Sequence, residues 1–140
     1  MLKRIHHVGI VVRSLEEAYR FYRDALGLRV HKTAEVRDQG VRAALLTVGD
    51  SEIELLEPID PKGTVARFLD KRGEGMHHVC FETDDVVREL AAAKEAGIPL
   101  IDEAPRLGLA GKICFLHPKG TAGVLIEYAE PITLDRATIV

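Results

Sequence analysis

Apolar and polar positions follow two periods along this chain, and the switches between them mark out its elements. The apolar, β-branched run His6 to Val12 predicts a strand, with Val8, Ile10 and Val12 on one face and His7, Gly9 and Val11 on the other. Ser14, three residues before Glu17, forms a capping box that opens a helix. Leu15, Ala18, Tyr22, Ala25 and Leu26 keep a helical period until Gly27 ends it. Strands are then expected over 28–36, 41–48 and 52–57, separated by the turn Asp38-Gln39-Gly40 and the tight connection Gly49-Asp50-Ser51, with Pro58 closing the last. Thr64 is placed to cap a short helix over 65–71, with Phe68 and Leu69 on its inner side.

The plan then repeats. A strand is expected over 76–82, then a helix over 86–96, capped by Asp84 or Asp85 and stopped by Gly97. A strand over 99–102 follows, then a mobile loop over 105–111, a strand over 112–116, a turn over 117–120 and a last strand over 124–128. The tail from Ile132 has no period. Each half reads β-α-β-β-β, so the fold class is α+β: two tandem βαβββ modules at about 4–59 and 76–131, a linking helix over 64–72, and one domain spanning 1–140 with a tail at 132–140. Neither module covers both faces of its sheet alone, so the two are expected to pack together.

A chain of 140 residues buries about 70% of its unfolded surface, so it needs no disulfide to fold. Cys80 and Cys114, both in apolar runs, read as buried thiols in a reducing compartment. The net charge of −3 gives no footprint for nucleic acid or an anionic membrane. The apolar run Val8 to Val12 is too short for a signal peptide and no run is long enough to span a bilayer, so a cytoplasmic protein is expected.

The candidate chemistry lies in a second level of repetition. Residues 5–8 read Ile-His-His-Val and 76–79 read Met-His-His-Val; residues 53–58 read Ile-Glu-Leu-Leu-Glu-Pro and 126–131 read Ile-Glu-Tyr-Ala-Glu-Pro. One His and one Glu per half, His7, Glu54, His78 and Glu127, therefore stand at equivalent places in a duplicated unit. Imidazole with carboxylate suits divalent zinc, nickel, cobalt, iron or manganese. Duplicated residues with a purely structural task would more naturally be glycine, proline or apolar, and two buried glutamates without a cation are costly. The outer histidines His6 and His77 fall on the opposite strand face and are assigned to structural use. Glu57 and Glu130 read as solvated strand ends, and His31 as a surface residue. Lys119 in the turn with His117, and Arg106, are candidates for a phosphate or carboxylate.

These motifs, with the stretches VARFLDKRGEGMHHVCFE at 65–82, DEAPRLGLAGKICFLHPK at 102–119 and GVLIEY at 123–128, resemble the vicinal oxygen chelate superfamily, and within it the methylmalonyl-CoA epimerases. The resemblance covers nearly the whole chain up to the tail. It implies a metal-centred curved sheet, metal ligands at His7, Glu54, His78 and Glu127, and a divalent ion: cobalt first, with manganese, nickel or zinc as alternatives. It also implies an acyl-CoA substrate, a homodimer, and epimerisation of (R)- and (S)-methylmalonyl-CoA. Some members carry Gln where Glu54 stands, so this site would be more anionic. Some carry a glutamate, proposed as an acid/base group, where this chain has Ala43.

The C2 proton of such a substrate lies between a carboxylate and a thioester carbonyl, so a chelating metal would stabilise the enolate formed on its removal. Glu127 is the expected base; the second proton donor is Glu54, a bound water or another group. Two rival readings use the same frame: a glyoxalase I-like lyase acting on a thiol hemithioacetal, and a non-catalytic ligand-binding protein. A ring-cleaving dioxygenase fits less well, because its sites use two histidines and one carboxylate.

Overall fold

The computed structural model describes residues 1–132, whose contacts gather into two compact units: Ile5–Cys80, and Met1–Arg4 with Phe81 onward. The expected tail beyond Ile132 lies outside the described residues. The order of elements is β1 (Leu2–Val11), α1 (Leu15–Tyr19), β2 (Arg29–Val36), β3 (Val41–Val48), β4 (Ser51–Pro58), α2 (Thr64–Arg72), β5 (Gly75–Thr83), α3 (Val86–Glu95), β6 (Arg106–Gly108), β7 (Gly111–Leu116) and β8 (Ile126–Glu130). That is β-α-β-β-β, a linking helix, and β-α-β-β-β again, as the periodicities predict.

In the unit Ile5–Cys80 the strands lie in the order β2-β3-β4-β1-β5, with β1 parallel to β4 and the β2-β3-β4 meander antiparallel. Ser14 accepts the Glu17 N–H at 3.3 Å, which caps α1 as the capping box requires. Leu15 and Tyr19 of α1 pack on Val12, Ala44, Leu46 and Leu55, so the helix covers one sheet face. Burial of each such leucine contributes about 1.5–3 kcal/mol. Side chains alternate along a strand, so the other face carries His7, Gly9 and Val11 of β1, Glu52, Glu54 and Leu56 of β4, and Ala43 and Leu45 of β3. Their register is His7↔Glu52, Gly9↔Glu54, Leu45↔Glu54 and Ala43↔Leu56.

In the other unit the strand order is β8-β7-β6, with all three antiparallel. Asp85, one of the two expected caps, accepts the Arg88 N–H at 3.1 Å and opens α3. Val86, Leu90 and Ala93 pack on Cys114 and Leu116, with Ile126 and Tyr128 beside them. Glu127 pairs in register with Phe115, which puts both on the face away from α3. Glu54 has the same relation to α1.

Four expectations are corrected. The first helix stays α-helical only to Tyr19 and then widens into a π-helix over Arg20–Ala25, with Leu26 N donating to Phe21 O five residues back; Phe21 and Leu26 stay exposed. Gly63, not Thr64, is the N-cap of α2, whose buried residues are Val65 and Ala66. The expected strand over 99–102 reduces to a single bridge, Leu100↔Leu116, because the Asp102 carboxylate accepts the Phe115 N–H at 2.8 Å. The segment expected as a mobile loop holds strand β6, paired with β7 through Arg106↔Ile113, Leu107↔Lys112 and Gly108↔Gly111. Gly111 there has φ +121, and a Cβ would collide with the Glu130 backbone, so this glycine serves close packing.

Candidate metal centre

Two strands and a β-hairpin arm deliver three donors within the unit Ile5–Cys80. His7 comes from β1, Glu54 from the middle of β4 and His78 from β5; all three are buried. His7 Nε2 lies 3.1 Å from His78 Nε2, and Glu54 Oε1 lies 3.4 Å from the first and 3.3 Å from the second. Two ligands bound at 2.1 Å to a common centre stand about 3.0 Å apart at a right angle and about 3.4 Å apart at the tetrahedral angle. The three separations fall in this interval, so the donor set fits a small divalent cation.

The electrostatics agree. Burial would raise the Glu54 pKa, but the charge on His7 and hydrogen bonds from His7 and His78 outweigh it and hold the carboxyl well below the usual range. Positive charge at this point therefore keeps Glu54 ionised in spite of its burial. The wall beside it is apolar: Ala43, Leu45 and Leu56 share its face and are buried.

Backbone shape matters as much as the donors. At Gly9, between His7 and Val11 on the same face of β1, a Cβ would overlap the His78 imidazole. The missing side chain is what lets that ring lie against the strand. The strand pattern places Gly9 on this face without giving it a task, although a glycine inside a strand is itself a sign of close approach.

The outer histidines do not sit apart from the inner ones. His6 is buried with its Nδ1 2.8 Å from His7 Nδ1, and His77 Nδ1 lies 2.9 Å from His78 Nδ1. A buried imidazole that turns Nε2 to the site still has Nδ1 to satisfy, and the neighbouring ring supplies that partner. His31 is exposed as expected, but its Nδ1 lies 2.9 Å from Glu52 Oε2.

In the other unit, Glu127 is buried on β8, beside Phe115, Ile113 and Ala129 on its face. Glu57 and Glu130 are not solvated strand ends. Glu57 accepts the Leu15 N–H at 3.2 Å and Glu130 accepts the Val86 N–H at 3.0 Å, each at the first residue of its module's helix. A spacing of three in a strand puts the two glutamates of Ile-Glu-x-x-Glu-Pro on opposite faces, one toward the open face and one toward the helix. Arg106 pairs with Asp102 at 3.0 Å and lies over the Phe115 ring, while His117 accepts the Lys119 N–H at 3.0 Å and so caps its own turn. Neither Cys80 nor Cys114 is in a disulfide, and both are buried. Among the described residues no helix is long and apolar enough to cross a membrane.

Residues 6–115 match the model of the Glyoxalase/Bleomycin resistance protein/Dioxygenase superfamily. The chain is 38% identical over 130 residues to the ethylmalonyl-CoA/methylmalonyl-CoA epimerase of Cereibacter sphaeroides, covering 91% of this chain and 97% of that one. It is 37% identical over 128 residues to the mitochondrial methylmalonyl-CoA epimerase of Mus musculus, covering 90% of this chain and 72% of that protein. Its structure superposes with a TM-score of 0.93, at 37% identity and over 96% of this chain and 99% of the other, on a methylmalonyl-CoA epimerase solved in complex with methylmalonyl-CoA and NH4+.

Proposed function

The chain belongs to the Glyoxalase/Bleomycin resistance protein/Dioxygenase superfamily, and on that premise we propose that it interconverts (R)- and (S)-methylmalonyl-CoA by removing and returning the C2 proton. The observation that carries this reading is the buried His7–Glu54–His78 donor set, in a chain similar over nine-tenths of its length to methylmalonyl-CoA epimerases.

His7, Glu54 and His78, with Glu127 as the fourth ligand, would hold a divalent cation, cobalt by the family resemblance, whose Lewis acidity would stabilise negative charge on the substrate's thioester oxygen. Glu127 enters this set because it occupies in the second module the place Glu54 holds in the first, and because a buried carboxylate calls for a positive partner.

Glu127 is also the proposed base at C2. Phe115, Ile113 and Ala129 share its face of the sheet and keep water away from the carboxylate. Ala43, buried and apolar, supplies no proton donor from β3. Return of the proton to the opposite face of C2 then falls to Glu54, to a bound water or to another group. The apolar wall of Ala43, Leu45 and Leu56 suits the methyl substituent rather than the charged carboxylate.

The test is the stereochemical conversion of one pure methylmalonyl-CoA epimer into the other, followed by chiral separation of the products. Equilibration to equal amounts is expected. Absence of conversion, together with turnover of a glutathione hemithioacetal, would move the assignment to a glyoxalase-type lyase.

A further inference from the structure

The His-His pairs are duplicated as pairs, and a role for the inner members alone leaves the outer ones unexplained. We infer that His6 and His77 are positioning residues that fix the tautomers of His7 and His78, an inference that rests on the cation site proposed above.

The geometry is the same in both strands. His6 Nδ1 and His7 Nδ1 are 2.8 Å apart with the rings at 83°, and His77 Nδ1 and His78 Nδ1 are 2.9 Å apart with the rings at 85°. A neutral imidazole carries one N–H and one ring lone pair. An inner histidine that offers its Nε2 lone pair to a cation must carry its proton on Nδ1. That N–H then donates to the outer ring's Nδ1, which has to be the acceptor. Each outer ring consequently carries its own proton on Nε2.

The surroundings of the outer rings agree. His6 Nε2 faces the Glu52 carboxylate at 4.0 Å, and Glu52 is held from its other side by His31 at 2.9 Å. His77 is fixed edge-to-face against Phe68 of α2, with centroids 5.1 Å apart. A group that accepts from the distal nitrogen of a ligand histidine orients the ring and raises its basicity, and its loss weakens metal binding about 10–100-fold. Without an acceptor, the inner ring is released to present Nε2–H to the site, where a second donor, the partner histidine, lies 3.1 Å away.

Two kinds of variant separate this from a packing role. His6→Phe and His77→Phe keep a ring but remove the acceptor; His6→Asn and His77→Asn place an amide oxygen close to where Nδ1 was. Affinity for Co2+ is measured by competition with a chromophoric chelator, and melting of the metal-free proteins is recorded alongside. The Phe variants are expected to bind Co2+ about 10–100-fold more weakly and the Asn variants within a few-fold of the unsubstituted protein. In the Zn2+-loaded unsubstituted protein, 15N-edited NMR should show His7 and His78 protonated at Nδ1, and His6 and His77 at Nε2. Outer rings protonated at Nδ1, or Phe variants that bind Co2+ as tightly as the unsubstituted protein, would overturn the inference. Failure of the unsubstituted protein to take up Co2+ at all would overturn the cation site itself, and this inference with it.

Discussion

The Nε2 atoms of His7 and His78 lie 3.1 Å apart although 71 residues separate them in sequence, and Glu54 Oε1 stands within 3.4 Å of both. Two buried imidazoles and a buried carboxylate brought to one point make an arrangement that costs free energy unless something positive shares it. Replacing His78 with alanine should therefore abolish stoichiometric binding of divalent metal and lower epimerase activity at least 100-fold. Isothermal titration with Co2+ checks the first and turnover of methylmalonyl-CoA the second. Retention of both would show that this cluster is only a hydrogen-bonded core.

Gly9 makes a sharper test, because it carries no donor. A Cβ at this position would meet the His78 ring, so Gly9→Ala should displace that ring and destabilise the fold by about 1–3 kcal/mol. Metal affinity should fall with it, while the far-UV dichroism of the folded protein stays unchanged. An alanine variant with unaltered Co2+ affinity would mean that the close approach of strand and ring does not matter to the site.

Glu57 and Glu130 should behave oppositely. Each accepts the N–H of the first residue of a helix, α1 for one and α3 for the other, where a carboxylate also meets the positive end of the helix. Glu57→Ala and Glu130→Ala are expected to cost about 1 kcal/mol each in urea unfolding, with kcat/KM changed less than two-fold. A large loss of kcat without loss of stability would place these residues in the chemistry instead.

The thiols give a prediction that depends on pH. Burial first, then the negative charges of Asp102 and Glu127, push the Cys114 thiol up to about 12. At pH 8 about one molecule in ten thousand then carries the thiolate that reacts. Iodoacetamide at pH 8 should leave Cys80 and Cys114 unmodified in the native protein and modify both in denaturant. Mass spectrometry counts the adducts, and rapid native labelling would contradict the burial of these side chains.

The parts of the fold that were legible in the sequence are those where local chemistry and tertiary packing agree. Ser14 and Glu17 predict a capped helix and the Ser14 hydroxyl caps it; the strand expected over 41–48 is β3, which the core then buries. The errors fall where a side chain replaces a backbone partner or where glycine has a packing task. Asp102 takes the Phe115 N–H that a neighbouring strand would have used, so a strand-like composition yields one bridge. Gly108 and Gly111 look like flexibility but join β6 to β7. At the site, His7, Glu54 and His78 could be picked out by their repetition. The outer histidines were misplaced by strict alternation, which ignores the need of a buried ring nitrogen for a partner. Glu57 and Glu130 were misplaced because a helix start three-dimensionally near a strand end leaves no mark in the local pattern.

The central claim is proton exchange at C2 under control of this site, and solvent deuterium incorporation measures it most directly. Methylmalonyl-CoA incubated in D2O with the Co2+-loaded protein should gain deuterium at C2, and the protein stripped by a chelator should lose that activity until metal is restored. Glu127→Gln should retain metal yet exchange at least 100-fold more slowly. No deuterium at C2, with or without added metal, would contradict the account.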